Sequence, residues 1–180
     1  AHADTLTFEM SIATDRFIVN SGTSTYDENK IREFQRSTSA HSTVTINNQN
    51  SSDVWKSFRV AKRANVSEIL INNNGSRQSV EASHDGYGTI KHTRCWICEK
   101  NYILINDKIT GNFKSAIARL YLHPGIKIID DSTFQTPKGK IIKLITNNDY
   151  NIIKSIWYPE FGKQIKNHCT EIMINNSLNE

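Results

Sequence analysis

The chain has only three cysteines, Cys95, Cys98 and Cys169, in 180 residues. An odd count argues against a disulfide scaffold. A chain of this length buries roughly 70% of its unfolded surface, so it can fold without a disulfide or a metal. It contains no run of 18 apolar residues, which excludes a membrane-spanning helix. It has no recognisable signal peptide, no internal repeat and no low-complexity linker, and its length fits one domain over residues 1–180. A nucleic-acid binder would rest on net charge alone. The net charge of +4 suits an acidic partner or simply a solvated surface. Its one denser patch is Lys56, Arg59, Lys62 and Arg63. The chain opens without Met, inside "AHADTLTFEMSI", and is expected to be a piece of a longer protein.

What the chain does have is alternation. "TLTFEMSI" sets Leu6, Phe8, Met10 and Ile12 against polar neighbours, the period-two pattern of a half-buried strand. "RFIVN", "TVTIN", "SEILINN", "QSVEAS", "GTIKHTRCWIC", "NYILIND", "SAIARLYLH", "IKIIDD", "KIIKLIT", "YNIIKSIWY" and "CTEIMIN" continue it. Turn residues punctuate the series at Asn74-Gly75, Gly111-Asn112, Pro124-Gly125 and Lys138-Gly139. Many short strands with frequent turns predict an all-β antiparallel sandwich. One stretch, "DENKIREFQRS", with Ile31 and Phe34 three apart, predicts a single short helix.

Cys95 and Cys98 have the spacing of a redox pair or half a zinc site, but they lie in a predicted strand. Residues three apart on a strand point to opposite faces. A redox pair is favoured by a helix N-terminus that lowers the thiol pKa, and no second Cys-x-x-Cys completes a zinc site. Two buried, unbonded thiols are expected.

Three polar markers gather near the start: His2 and Asp4 in "HAD", Asn20 at the end of "RFIVN", and His41 at the entrance of "TVTIN". Neighbouring strand ends could bring His2, Asn20 and His41 together, and zinc takes imidazole nitrogen and side-chain oxygen. Alternatively each histidine is a hydrogen-bonded structural residue. Elsewhere, His84, Asp85 and Tyr87 form either a hydrogen-bonded corner or a substrate contact. His92 and Arg94 could reach a ligand or a neighbouring acid. Arg59 and Arg63 could hold a sulfate or carboxylate, and Trp55 could stack on a sugar or fill the sandwich.

Four ordered stretches carry a resemblance: "HADTLTFEMSIATDRFIVNSGTSTY", "REFQRSTSAHSTVTINNQNSSDVWKSFRVAKRA", "SHDGYGTIKHTR" and "ILINDKITGNFKSAIARLYLHPGIKI". They resemble the C-terminal β-sandwich region of the heparinase II/III-like family, over about the first 130 residues. The resemblance implies a bacterial polysaccharide lyase, periplasmic or secreted, in which an α/α-toroid precedes the sandwich. The two domains enclose a cleft for an anionic polysaccharide such as a glycosaminoglycan. Cleavage there is β-elimination, with most catalytic groups in the upstream helical domain and His2 the one candidate in this chain. It also implies a structural zinc on the positions matching His2, Asn20 and His41. Asn20 and Ser21 stand where the family has Asp and Pro, so Asp4 is a candidate replacement ligand. Substrate contacts are expected at Arg59, Arg63, His84 and Tyr87. The rival reading keeps the fold and drops the chemistry: a carbohydrate-binding or assembly module of a surface-polysaccharide pathway.

Overall fold

In the computed structural model, which describes residues 1–175, the alternating segments become strands. In chain order they are β1 (Met10–Ile12), β2 (Asp15–Val19), helix α1 (Lys30–Arg36), β3 (Val44–Ile46), β4 (Val54–Trp55), β5 (Arg59–Val60) and β6 (Val66–Asn74). There follow β7 (Arg77–Tyr87), β8 (Ile90–Glu99), β9 (Tyr102–Thr110), β10 (Ala116–Leu122) and β11 (Lys127–Ile128). The series closes with β12 (Thr133–Gln135), β13 (Ile141–Lys143), β14 (Tyr150–Trp157) and β15 (Ile165–Ile174).

Strand β10 is the middle of the largest sheet. β15 runs antiparallel along one edge, from Ala116 opposite Ile174 to Leu122 opposite His168, and β14 lies beyond it. The other edge is shared by two strands: β3 pairs with residues 116–118, while β2 pairs with Tyr121 and Leu122. Because strand side chains alternate, Ala116, Ala118, Leu120 and Leu122 share one face. At the β3 end this face packs with Val44 and Ile46 against Tyr87, Ile90 and Ile109 of the meander β6-β7-β8-β9. At the β2 end, Phe17, Ile18 and Leu122 pack against Phe134, Ile126 and Ile142 around the small sheet β11-β12-β13. Each fully buried branched side chain contributes roughly 1.5–3 kcal/mol. The result is the expected all-β antiparallel sandwich with one short α-helix.

Three local expectations are corrected. The first strand begins at Met10, not at Leu6. Thr7 N–H donates back to the Asp4 carbonyl (3.1 Å), and Leu6 takes a left-handed φ of 55°, closing a turn where alternation suggested strand. Phe8, Met10 and Ile12 still pack on the core.

Helix α1 is capped by Asn29, whose side chain accepts from Arg32 N–H (2.9 Å). It buries its polar face: Arg32, Gln35 and Arg36 are inside, while Ile31 and Phe34 are 38% and 36% exposed. A guanidinium has five donors and no acceptor, and backbone carbonyls satisfy them here. Arg36 donates to the carbonyls of Ala1, Trp55, Lys56 and Arg59, and Arg32 to that of Ser57.

All three cysteines are free, but of the pair expected to be buried Cys98 is exposed and Cys95 only half-buried. Cys98 lies near the far end of β8, where the meander runs past the core and β6 is exposed along its whole length.

Candidate metal centre and its surroundings

The site forms where β2 leaves the edge of β10 and β3 takes it over. Ser42 fills the gap. Its hydroxyl donates to Val19 O (2.7 Å) and accepts from Tyr121 N–H (3.1 Å), and its backbone N–H donates to Asn20 Oδ1 (3.0 Å). His41, immediately before it, is thereby fixed at the strand entrance, 4% exposed. Thr38 ties down the opening residues, with its hydroxyl donating to Ala3 O (2.7 Å). That bond places His2 against His41, with ring centroids 5.3 Å apart and planes at 48°. The turn at Leu6 folds Asp4 back, and one ligand atom each from His2, Asp4 and His41 lies within 4.8 Å of the others. The left-handed Leu6 is held by Arg94, whose Nη1 donates to Leu6 O (3.1 Å) and Ser42 O (2.8 Å).

Burial pulls His41 down to about 4. The nearby Gln35 backbone offsets little of this, and neither ring nitrogen has a hydrogen-bond partner among the described residues. A buried imidazole with both nitrogens orphaned is rare without water or a metal. Burial, then the neighbouring His41 and Arg32, lowers His2 to about 4 as well, against a smaller upward pull from Asp4. Both rings are therefore neutral at pH 7, the form that binds metal. Two imidazoles and a carboxylate form a zinc donor set. Arg32 competes with it: its Nη1 donates to His2 Nε2 (3.2 Å), so that lone pair is occupied.

The other sequence-predicted residues sit as follows. Asn20 is beside the cluster, but its carbonyl oxygen accepts from Thr7 Oγ1 (2.6 Å) and Ser42 N–H (3.0 Å) and serves as a backbone anchor. Arg59 and Arg63 are exposed on and just beyond the β4–β5 hairpin. His84 is 1% exposed with both ring nitrogens engaged, one by Gly86 N–H (3.1 Å) and the other by His92 Nδ1 (3.0 Å). Tyr87 is 6% exposed and donates to Val44 O (2.6 Å). His92 and Arg94 reach a neighbouring acid, Asp107, at 2.7 Å each.

Sequence reasoning missed the role of Arg32, Arg36 and Asp107 altogether. The arginines follow a hydrophobic-looking helix pattern, and Asp107 lies in an ordinary alternating strand. The one available signal was that "HTR" on β8 puts His92 and Arg94 on the same face.

An antiparallel sandwich carrying two facing imidazoles and a carboxylate at a strand junction defines the class of domain. The pattern of the Heparinase II/III-like, C-terminal family matches residues 1–178, and the chain belongs to that family. The match runs beyond the first 130 residues where the resemblance was legible. Among solved structures, a heparinase III superposes with TM-score 0.76 at 22% identity, covering 98% of this chain and 28% of its own. The heparan sulfate lyase HepC from Pedobacter heparinus superposes with TM-score 0.74 at 18% identity, covering 97% and 28%. Another heparinase III gives 0.74 at 20% identity, covering 99% and 28%. The chain thus spans less than a third of each of these proteins. No curated protein matches by sequence.

Proposed function

We propose that this chain is the C-terminal sandwich of a polysaccharide lyase that cleaves an anionic, uronate-containing glycan by β-elimination. The observation that carries the reading is the His2–Asp4–His41 cluster in a chain matched over residues 1–178 by the heparinase II/III-like family. β-Elimination needs the uronate carboxylate neutralised, its neighbouring proton removed and the leaving oxygen protonated. Imidazoles with pKa values near 4 are poor bases at neutral pH. This chain therefore contributes binding and positive charge, and an upstream helical domain supplies the proton transfers. Zinc fits the cluster, held by His2, Asp4 and His41. When bound it would cross-link the first residues to the β3 entrance and add positive charge there.

The same lowered pKa values, with Arg32 occupying His2, favour as second reading a carbohydrate-binding module without chemistry. Absorbance of the new unsaturated uronate, with heparan sulfate and alginate as substrates, separates the two. The parent protein should turn over one of them, and the 180-residue chain neither. Binding without turnover by the parent would favour the module. Turnover by the chain alone, lost in His2→Ala, would place the active site in this domain and refute the assignment of roles.

A further inference from the structure

A cleft of about 530 Å³ opens between the turn after β3, the β4–β5 hairpin and the end of β7. That size is within the ~300–1,000 Å³ typical of small-ligand sites. Its construction is specific. Asn47 and Asn48 both take left-handed φ, 51° and 55°, and Gln49 N–H closes the turn on Ile46 O (3.0 Å). Asn47 Oδ1 pins that turn by accepting from Lys114 N–H (2.7 Å) and Ser115 N–H (3.2 Å). Asn50 is fixed by accepting from Thr38 N–H (2.8 Å), and that residue also holds Ala3 beside the metal cluster. The hairpin is held by Arg36 through the carbonyls of Trp55, Lys56 and Arg59. One lining residue, Gly86, has no room for a side chain. A Cβ there would stand 2.3 Å from Ser51 O and 3.0 Å from His84 Nδ1. The His84 ring that accepts from Gly86 N–H thus buttresses this side of the cleft.

What the cleft presents is an aromatic face, amides, one ammonium group and one carboxylate, that of Asp53. Trp55 lines it and is 41% exposed, with no ring or cation partner among the described residues. Gln49 and Asn50 offer donors and acceptors, and Lys62 an ammonium group. Arg59 is the cross-strand partner of Trp55, so their side chains share one face of the hairpin. Residues 53–63 hold four cations, Lys56, Arg59, Lys62 and Arg63, against one carboxylate, Asp53. None of the four forms an ion pair among the described residues. Lys62 is within electrostatic reach of the Asp85 carboxylate, but the excess of cations along residues 53–63 leaves the rim of the cleft positive. An exposed indole with amides and a cation-rich rim is the chemistry that holds a sugar ring bearing an acidic group.

We propose that this cleft binds an acidic sugar unit of a glycan, with Trp55 stacking on the ring, Gln49 and Asn50 bonding its hydroxyls, and Lys62 facing its carboxylate or sulfate. The site is separate from the His2–Asp4–His41 cluster and rests on the polysaccharide reading above.

The test is a titration of the ¹⁵N-labelled chain with a heparan sulfate hexasaccharide, an alginate hexasaccharide and neutral cellohexaose. An acidic hexasaccharide should shift the amides of Gln49, Asn50, Gly86 and Gly88 and the indole of Trp55. Trp55→Ala should weaken binding roughly tenfold, as loss of one aromatic stack does. Lys62→Gln, which leaves the hairpin untouched, should erase most of the preference for acidic over neutral sugar. Shifts confined to the surroundings of His2 and His41 would overturn the cleft while leaving the polysaccharide reading standing. Equal binding of cellohexaose would overturn the acidic class. No shift with any of the three would refute the cleft, and the uronate assay on the parent would then decide separately whether the lyase reading survives.

Discussion

Replacing Asp107 by Asn should destabilise the protein by about 4 kcal/mol. Asp107 and Arg94 have side chains 9% and 0% exposed. The carboxylate accepts from Arg94 Nε (2.7 Å) and Nη2 (2.9 Å) and from His92 Nε2 (2.7 Å). Asn keeps the shape but removes the charge, leaving the guanidinium buried without a counter-ion. Breaking a buried pair from one side costs about 3–5 kcal/mol, a large part of the ~5–15 kcal/mol that holds a domain. Removing both charges together, Asp107→Asn with Arg94→Met, should cost less than the sum of the single changes by about 1–3 kcal/mol. Urea unfolding followed by circular dichroism measures each, with an unchanged slope showing that two-state behaviour persists. Glu9→Gln is the control, since its pair with Arg16 is exposed and worth about 0–1 kcal/mol. Burial pushes the Asp107 carboxyl up, but the Arg94 charge and the hydrogen bonds outweigh it and hold the group well below the usual carboxylate range. A depressed pKa stabilises above the unfolded value of about 3.9 and loses that contribution as pH falls below it. The effect of the substitution should therefore be constant between pH 5 and 7 and shrink below about pH 4. A loss under about 1 kcal/mol, equal to the Glu9→Gln control, would refute the reasoning.

Burial, then the neighbouring His92, lowers His84 to about 4, so the folded chain resists protonation there. Stability that is full above about pH 6.5 should fall between pH 6.5 and 4, and His84→Asn should reduce that slope by about one proton in urea titrations across pH; an unchanged slope would show that His84 does not titrate on unfolding. Zinc calorimetry should show binding lost in Asp4→Ala but nearly unchanged in Asn20→Asp, because Asn20 oxygen serves Thr7 and Ser42; a large gain in Asn20→Asp would put that position in the donor set. Arg32→Gln should strengthen zinc binding by freeing His2 Nε2 and removing a cation, and weaker binding in a folded variant would refute the competition. In the native protein Cys98 should alkylate first and Cys169 only on unfolding, checked by mass spectrometry of labelled peptides; an intact Cys95–Cys98 disulfide peptide would contradict both.

Period-two alternation was enough to determine the class of fold, because one residue of every two must face a core whichever strand lies beside it. The sequence also placed His41 at a strand entrance and His2 on the opening segment, and separated Cys95 from Cys98 by strand parity. Only the tertiary structure decided which polar groups meet. Asp4 joins the two imidazoles because a turn at Leu6 is held by Arg94, 88 positions away. Arg32 and Arg36 point inward, against the apolar pattern of their helix, because carbonyls of the β4–β5 hairpin await them. His84 and Tyr87 are buried, and beside them Gly86, where a Cβ would meet Ser51 from another segment, helps to line the cleft. Alternation is local and needs no partner. A buried charge or an orphaned imidazole is stable only through groups that the chain brings from far away, and no nearby residue signals their arrival.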